Sequence, residues 1–327
     1  MEKSEIDQAL VRSLLREQHP DLAGLELRQV SGGWDNQLWR LGDELAVRLP
    51  RTPRAPALLQ KEARWLPVLA PGFPLPVPVP VRVGEPSARF PRPWMVTRWV
   101  PGEPADRVPI SRGAHAAQTL AAFLRTLHAG APAEAPANPK RGVPLGAVAD
   151  EFDQKLGAVG SGNLRDEART VWNDGVTASG WDAPPVWIHG DLHPANVVTS
   201  DGTLSGVLDF GELCAGDPAT DLAAAWLLLP AGHPAGYPAD TVSHFFDSYA
   251  IADDATVRRA RAWAVLRSVS LIGIGQAAER GLPGGQPTWG AAGRAALDRV
   301  LASGRRPIHC VPRHEHGRYR QGGGGPR

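Results

Sequence analysis

The stretch Val186-Trp187-Ile188-His189-Gly190-Asp191-Leu192-His193-Pro194-Ala195-Asn196, with Leu208-Asp209-Phe210-Gly211 following it, decides how this chain reads. It runs strand, loop, strand. Val186–Ile188 and Val197–Thr199 are short strands, and Leu204–Asp209 is a third, joined to its predecessor through Asp201-Gly202, a pair that favours a tight hairpin. A loop held between short strands presents its polar side chains as a fixed array. Asp191 and Asn196 therefore share one loop, and Asp209 closes the next strand.

Upstream of this segment the chain alternates strands with turns. Ser4–Gln18 predicts an amphipathic helix with Ser4 and Asp7 as a capping box. Strands are expected at Leu25–Val30, Gln37–Leu41 and Leu45–Leu49, then a helix at Ala57–Leu69 and a strand at Trp94–Val100. Residues 71–93 are dense in proline, and the Pro76–Pro80 alternation excludes a helix or a central strand. After Pro101-Gly102 helices dominate: Ile110–Ala129, Val148–Val159, Leu164–Ser179, and beyond Asp217 the spans 218–229, 238–250, 254–280 and 287–302, with Gly130–Pro144 a loop. Strands first and helices after predict an α+β chain of two lobes. An antiparallel-sheet N-lobe covers 1–97, a mainly helical C-lobe covers 98–304, and the hinge falls near 97–102.

Composition narrows the class. The 327 residues are 43% hydrophobic and 21% charged, ordinary values for a globular chain. No apolar run reaches the roughly 20 residues of a bilayer-spanning helix, and the N-terminus lacks the basic-then-apolar order of a signal peptide, so no membrane partner is expected. Two widely separated cysteines, Cys214 and Cys310, argue against a disulfide framework and for a reducing, cytoplasmic setting. Residues 190–304 hold 12 acids against 7 arginines, a balance of −5, while 305–327 hold six arginines against one acid. A glycine-rich basic tail reads as a disordered terminus rather than a nucleic-acid-binding arm, because Gly322–Gly325 and Pro326 cannot build a core. The acidic balance of 190–304 favours a cationic small molecule. Oligomeric state has no signature in the sequence.

The polar array has a chemistry. Phosphoryl transfer to a hydroxyl needs one carboxylate to orient and deprotonate the acceptor, and hard oxygen ligands for a magnesium ion that bridges nucleotide phosphates. Asp191 suits the first task, and Asn196 and Asp209 suit the second.

His-Gly-Asp-Leu-His-Pro-Ala-Asn at 189–196 with Leu-Asp-Phe-Gly at 208–211 resembles the aminoglycoside phosphotransferase family, whose fold is similar to that of protein kinases. The resemblance extends through Gly216-Asp217-Pro218-Ala219-Thr220-Asp221-Leu222-Ala223. It implies Asp191 as catalytic base, Asn196 and Asp209 as Mg²⁺ (magnesium) ligands, and ATP or GTP as co-substrate. His189, Asp217 and Asp221 are expected to support the loop. The nucleotide side is expected to involve Ser31, Gly32 and Gly33 in the first turn, Arg48 where the family carries a lysine, Glu62 as its partner, and the backbone of Arg98, Trp99 and Val100 at the hinge. Glu212 and Glu279 are the acids available to a cationic acceptor. The acceptor implied is a small-molecule hydroxyl, first an aminoglycoside-type antibiotic, with macrolides, peptide antibiotics, homoserine, choline or sugars as alternatives. Arg48 leaves open a non-catalytic nucleotide-binding protein.

Overall fold

The computed structural model describes residues 6–30, 33–232 and 240–303. Ser4, Ser31, Gly32 and the basic tail at 305–327 lie outside the described residues. The first helix, α1, spans Gln8–Gln18 and does not reach back to residue 6. Asp7 is itself its N-cap, accepting from the Leu10 N–H at 2.8 Å, so the residue expected to complete a capping box begins the helix instead.

Five strands form one antiparallel sheet: β1 (Leu27–Val30), β2 (Asn36–Leu41), β3 (Leu45–Pro50), β4 (Pro80–Gly84) and β5 (Trp94–Arg98), in the order β1-β2-β3-β5-β4. The proline-rich stretch thus contains a strand, but it lies at the sheet edge, where a missing N–H costs no ladder bond. Alternate residues Val47 and Leu49 of β3 and Val96 of β5 pack with Trp39, Trp94 and α1 residues Val11, Leu14 and Leu15 into a small core. Helix α2 (Ala55–Leu69) carries Glu62 beneath this sheet.

The second part is helical: α3 (Gly113–Leu127), α4 (Ala149–Leu156), α5 (Asn163–Thr177), α6 (Ala219–Leu222), α7 (Ala224–Leu228), α8 (Thr241–Tyr249), α9 (Asp254–Glu279) and α10 (Trp289–Ser303). Helix α9 is buried on most sides from Ala260 to Ile272, and α5, α6 and α10 pack around it. Leu66, Leu75 and Val77, although earlier than residue 97, join this larger core.

Two small antiparallel sheets hold the loop region. β6 (Glu103–Pro104), β8 (Val197–Ser200) and β9 (Thr203–Val207) form one. β7 (Val186–Ile188) pairs with β10 (Cys214–Gly216) in the other, setting Ile188 opposite Cys214. That pairing brings the residues after Ile188 beside those after Asp209. Cys214 is buried and reduced, its thiol pushed up to about 12 by burial.

Candidate active site

The loop after β7 is fixed from below. Asp221 is fully buried and its two carboxylate oxygens accept the N–H groups of His189 at 2.6 Å and Gly190 at 2.8 Å. The same carboxylate meets His128 Nε2 at 3.4 Å, and His128 Nδ1 in turn meets the Tyr249 hydroxyl at 2.8 Å. Asp217 accepts the Ala219 N–H at 2.9 Å and pairs with Arg259 of α9 at 2.7 Å. His189 is fully buried. Its Nδ1 accepts the Asp191 N–H at 3.2 Å, which leaves Nε2 to donate to the Leu208 carbonyl at 2.9 Å. One imidazole thus ties the Asp191 loop to the segment that leads from β9, which ends at Val207, to Asp209.

On this support stand the three polar groups. Asn196 Nδ2 donates to the Asp191 carbonyl at 3.0 Å and to its carboxylate at 3.2 Å. The Asn196 Oδ1 accepts nothing among the described residues. Asp209 has a left-handed backbone, φ 58°, rare for a residue with a side chain and a mark of functional positions. Its carboxylate accepts the Gly211 N–H at 3.3 Å and its side chain is 47% exposed, while Phe210 is fully buried against His189 and Phe73. An amide oxygen and an open carboxylate are the hard donors that Mg²⁺ prefers, with phosphate and water oxygens left to complete its shell. The donor set therefore fits the ion.

Asp191 is crowded by cations. Arg267 Nη2 of α9 pairs with its Oδ1 at 2.8 Å, and Arg141 Nη2 lies 3.9 Å from the same oxygen. His193 Nε2 is 3.6 Å from Oδ2, and its Nδ1 accepts the Ala195 N–H, so the ring proton faces the carboxylate. Burial alone would raise the Asp191 carboxyl, but Arg267, His193 and Arg141 outweigh it and hold it well below the usual carboxylate range. The acidic excess of residues 190–304 does not gather around this group. Asp217 pairs with Arg259, Asp221 with His128, and Glu212 with Arg54, so much of the charge is engaged internally.

On the other wall Arg48 meets Glu62 with bonds of 2.5 and 3.0 Å, and its second nitrogen lies 3.9 Å from Asp209. Burial works against the Arg48 charge, but Glu62 and Asp209 more than restore it. Gly33 has φ 80° and its carbonyl accepts from Arg51. Of the residues expected at a hinge, Arg98 donates its N–H to the Val79 carbonyl at 2.8 Å and Trp99 its N–H to the Glu44 carbonyl at 2.7 Å. Among the three hinge residues only Val100 has an N–H free of bonds within the described residues.

The two acids named for a cationic acceptor are placed differently. Glu212 lies three residues past Asp209, but Arg54 holds one of its oxygens at 2.8 Å and Asn138 the other at 2.7 Å. Glu279 is exposed at the end of α9, about 18 Å along the helix from Arg267 by the rise per residue. Reading the sequence missed Arg141, Arg267, Arg54 and Asp35. Arg54 joins Asp35 at 2.7 Å to Glu212, tying the first turn to the segment after Asp209. Arg267 had a signal, a lone charge in the apolar run Ala262–Ile272. Trp34 stacks on Trp289 at 6.5 Å, and Trp289 meets the His193 ring at 4.6 Å.

A family model described as the phosphotransferase enzyme family matches residues 26–264. Aminoglycoside 3'-phosphotransferases of Escherichia coli and Salmonella typhimurium are 29% and 30% identical over 145 residues, which is 42% of this chain and 52% of theirs. The match thus spans about half the length of these curated relatives. Among solved structures, the GDP complex of aminoglycoside 2'-phosphotransferase-IIIa is similar with a TM-score of 0.66 at 20% identity, covering 91% of this chain and 99% of the other. A macrolide 2'-phosphotransferase of Brachybacterium faecium gives 0.53 at 21% identity, covering 86% and 97%. At these identities the structures speak to the fold, which is the kinase-like α+β fold of the aminoglycoside phosphotransferases. The family match covers well over half of the sequence and contains all three polar groups of the loop region, and on it the chain belongs to the phosphotransferase enzyme family.

Proposed function

We propose that this chain transfers the γ-phosphoryl group of ATP or GTP to a hydroxyl of a small molecule. The observation that carries this reading is the Asn196 amide: its nitrogen is bonded twice to Asp191 and its oxygen accepts nothing among the described residues, while its backbone carbonyl takes the N–H of Leu208 at 2.8 Å, next to the half-exposed Asp209. One group is thereby set for a proton and two for a metal. Mg²⁺ held by Asn196 and Asp209 would supply charge neutralisation at the nucleotide phosphates. The residues of the chain do the rest. Asp191 accepts the hydrogen bond of the acceptor hydroxyl and takes its proton as the oxygen bonds to the γ-phosphorus. The bond from that phosphorus to the bridging oxygen breaks, and its electron pair leaves with the nucleoside diphosphate. Arg48, held straight by Glu62, is a fixed cation on the nucleotide wall. Val100 offers the free hinge N–H to a base, and a backbone donor of this kind serves adenine and guanine alike.

Family membership and the names of the relatives make aminoglycoside and macrolide antibiotics the first acceptors to try, followed by amino alcohols, hydroxy acids and sugars. The test is purified full-length chain with Mg-ATP or Mg-GTP against that panel, with Asp191→Asn alongside. Phosphorylated product that disappears in the variant is the expected result. Magnesium-dependent nucleotide stabilisation with no product across the panel would overturn the reading in favour of a non-catalytic nucleotide binder.

A further inference from the structure

Building on the phosphotransferase reading, we infer that Arg141 and Arg267 form an oxyanion site beside Asp191, which receives a phosphoryl or carboxylate group during turnover. Two guanidiniums face one carboxylate oxygen, at 3.9 and 2.8 Å, so two positive charges meet a single negative one. Both side chains are largely buried, 15% and 13% exposed, where an uncompensated charge is costly. The donors are also under-used. Arg141 Nε is buried with no hydrogen-bond partner, and its Nη1 reaches only the Lys140 carbonyl at 3.0 Å. Arg267 donates Nη2 to the Gly190 carbonyl and pairs it with Asp191, and its other nitrogens donate to nothing among the described residues.

The placement of Arg141 is built into the fold. Its loop is pinned by Pro136 to Ala215 at 2.9 Å, by Asn138 to Glu212 at 2.7 Å, and by Gly142 to Thr220 at 3.1 Å and Asp217 at 3.0 Å. Gly142 has φ 66°, and a Cβ there would lie 2.7 Å from Gly216 and Ile188. Gly190 has φ 79° and leaves the room in which the Arg141 stem packs. The nearest further acids, Glu151 and Glu212, add negative charge around Arg141 but have cations of their own. Glu151 is taken by Lys155 at 2.7 Å and Lys140 at 3.3 Å, and Glu212 by Arg54 and Asn138. Burial and the Arg267 charge lower Arg141 to about 10, with Asp191, Glu212 and Glu151 acting the other way, which leaves it protonated at neutral pH.

A guanidinium fork matches carboxylate and phosphate oxygens. The anion has two possible sources. One is the phosphoryl group in flight, whose charge spreads over three oxygens as its bond to the bridging oxygen breaks and that to the acceptor oxygen forms. The other is a carboxylate or phosphate carried by the acceptor itself.

The test uses full-length Arg141→Gln, Arg141→Lys and Arg267→Gln, each checked first for wild-type melting and circular dichroism. With Mg-ADP saturating the nucleotide side, inorganic phosphate is titrated by calorimetry. Each Gln variant is expected to bind about tenfold more weakly, and Arg141→Lys to recover part of the loss. This readout needs no acceptor. Phosphate binding that depends on Arg141 in a wild type without turnover would keep the oxyanion site and remove the phosphotransferase reading. Turnover separates the two sources. If the phosphoryl group is the anion, kcat falls about tenfold or more for every acceptor and for acceptor-free nucleotide hydrolysis. If the acceptor supplies it, KM rises about tenfold more for hydroxy acids and sugar phosphates than for amino sugars, over and above any change in acceptor-free hydrolysis. Gln variants that bind phosphate and turn over all acceptors as wild type does overturn the inference, whether or not they melt lower.

Discussion

Arg48 meets Glu62 with two N–H···O bonds, one cation to one anion, in a position from which water is excluded. Across the cleft Asp191 faces two arginines at once, with a buried Nε that reaches no acceptor. The first cluster is closed. Its geometry is bidentate, the sheet and α2 hold it on both sides, and its next charged neighbour, Asp209 at 3.9 Å, is an acid and not a second cation. The second is open: its cations exceed its anions, and its donors exceed its acceptors. A closed pair positions, since nothing is gained by changing its partners. An open cluster binds, since an incoming anion relieves the excess. By this contrast the departure from lysine at position 48 reads as a change in how the nucleotide wall is braced, while the chemistry gathers around Asp191.

The contrast can be broken most sharply at Asp191. Asp191→Asn is expected to lower kcat by about 10²–10⁴-fold, the range for a positioned acid–base group, with nucleotide affinity nearly unchanged. Steady-state kinetics beside nucleotide titration read both quantities.

Next in size is Glu62→Gln. Breaking a buried pair by removing one partner leaves an uncompensated charge and costs about 3–5 kcal/mol. A denaturant melt should show that loss, whereas Arg141→Gln, which removes a cation from an excess, should leave stability unchanged or raise it. Equal losses from the two substitutions would mean that both clusters are closed.

The pH profile sharpens the comparison further. The Asp191 carboxyl is depressed in the folded state, so its stabilising contribution is present above the unfolded value of about 3.9 and is lost as pH falls through the lower folded value. Activity should therefore show no acid limb near pH 4 while the protein stays folded. In Arg267→Gln the largest opposing charge is gone and burial raises the carboxyl, so the acid limb should move up in pH. A profile that does not move would separate Arg267 from the base.

The smallest effect is expected at the aromatic contact between the two lobes. Trp34→Ala removes the stack on Trp289, worth about 0.5–1.5 kcal/mol, and should raise the KM for nucleotide modestly with little change in kcat.

The local parts of the site were legible because they are local. His189, Asp191 and Asn196 sit in one short loop, and turn chemistry and strand patterning suffice to bring them together. The strands around Leu27–Pro50 were legible for the same reason, since their pairing is by hairpin. β4 and β10 were not. One is masked by prolines that only an edge position tolerates, and the other is three residues long and gains its identity from β7. Arg141 escaped notice in a Pro/Ala loop that carries no periodicity, and Arg54 did so at a helix start that looks like any solvated end. The acidic excess of residues 190–304 misled for a related reason: a sum over sequence does not show which acids are already paired.

By itself the sequence determined the α+β order of elements, the family, and the residue types able to hold a proton and a metal, because these depend on spacing within one loop and on patterns of period two and 3.6. The tertiary structure alone decided the electrostatics. The pairing of β7 with β10 and the passage of α9 beneath the Asp191 loop bring Arg141 and Arg267 against one carboxylate. Charge–charge energies depend on distance and burial rather than on separation along the chain, so the sign and openness of that cluster existed only once the chain had folded.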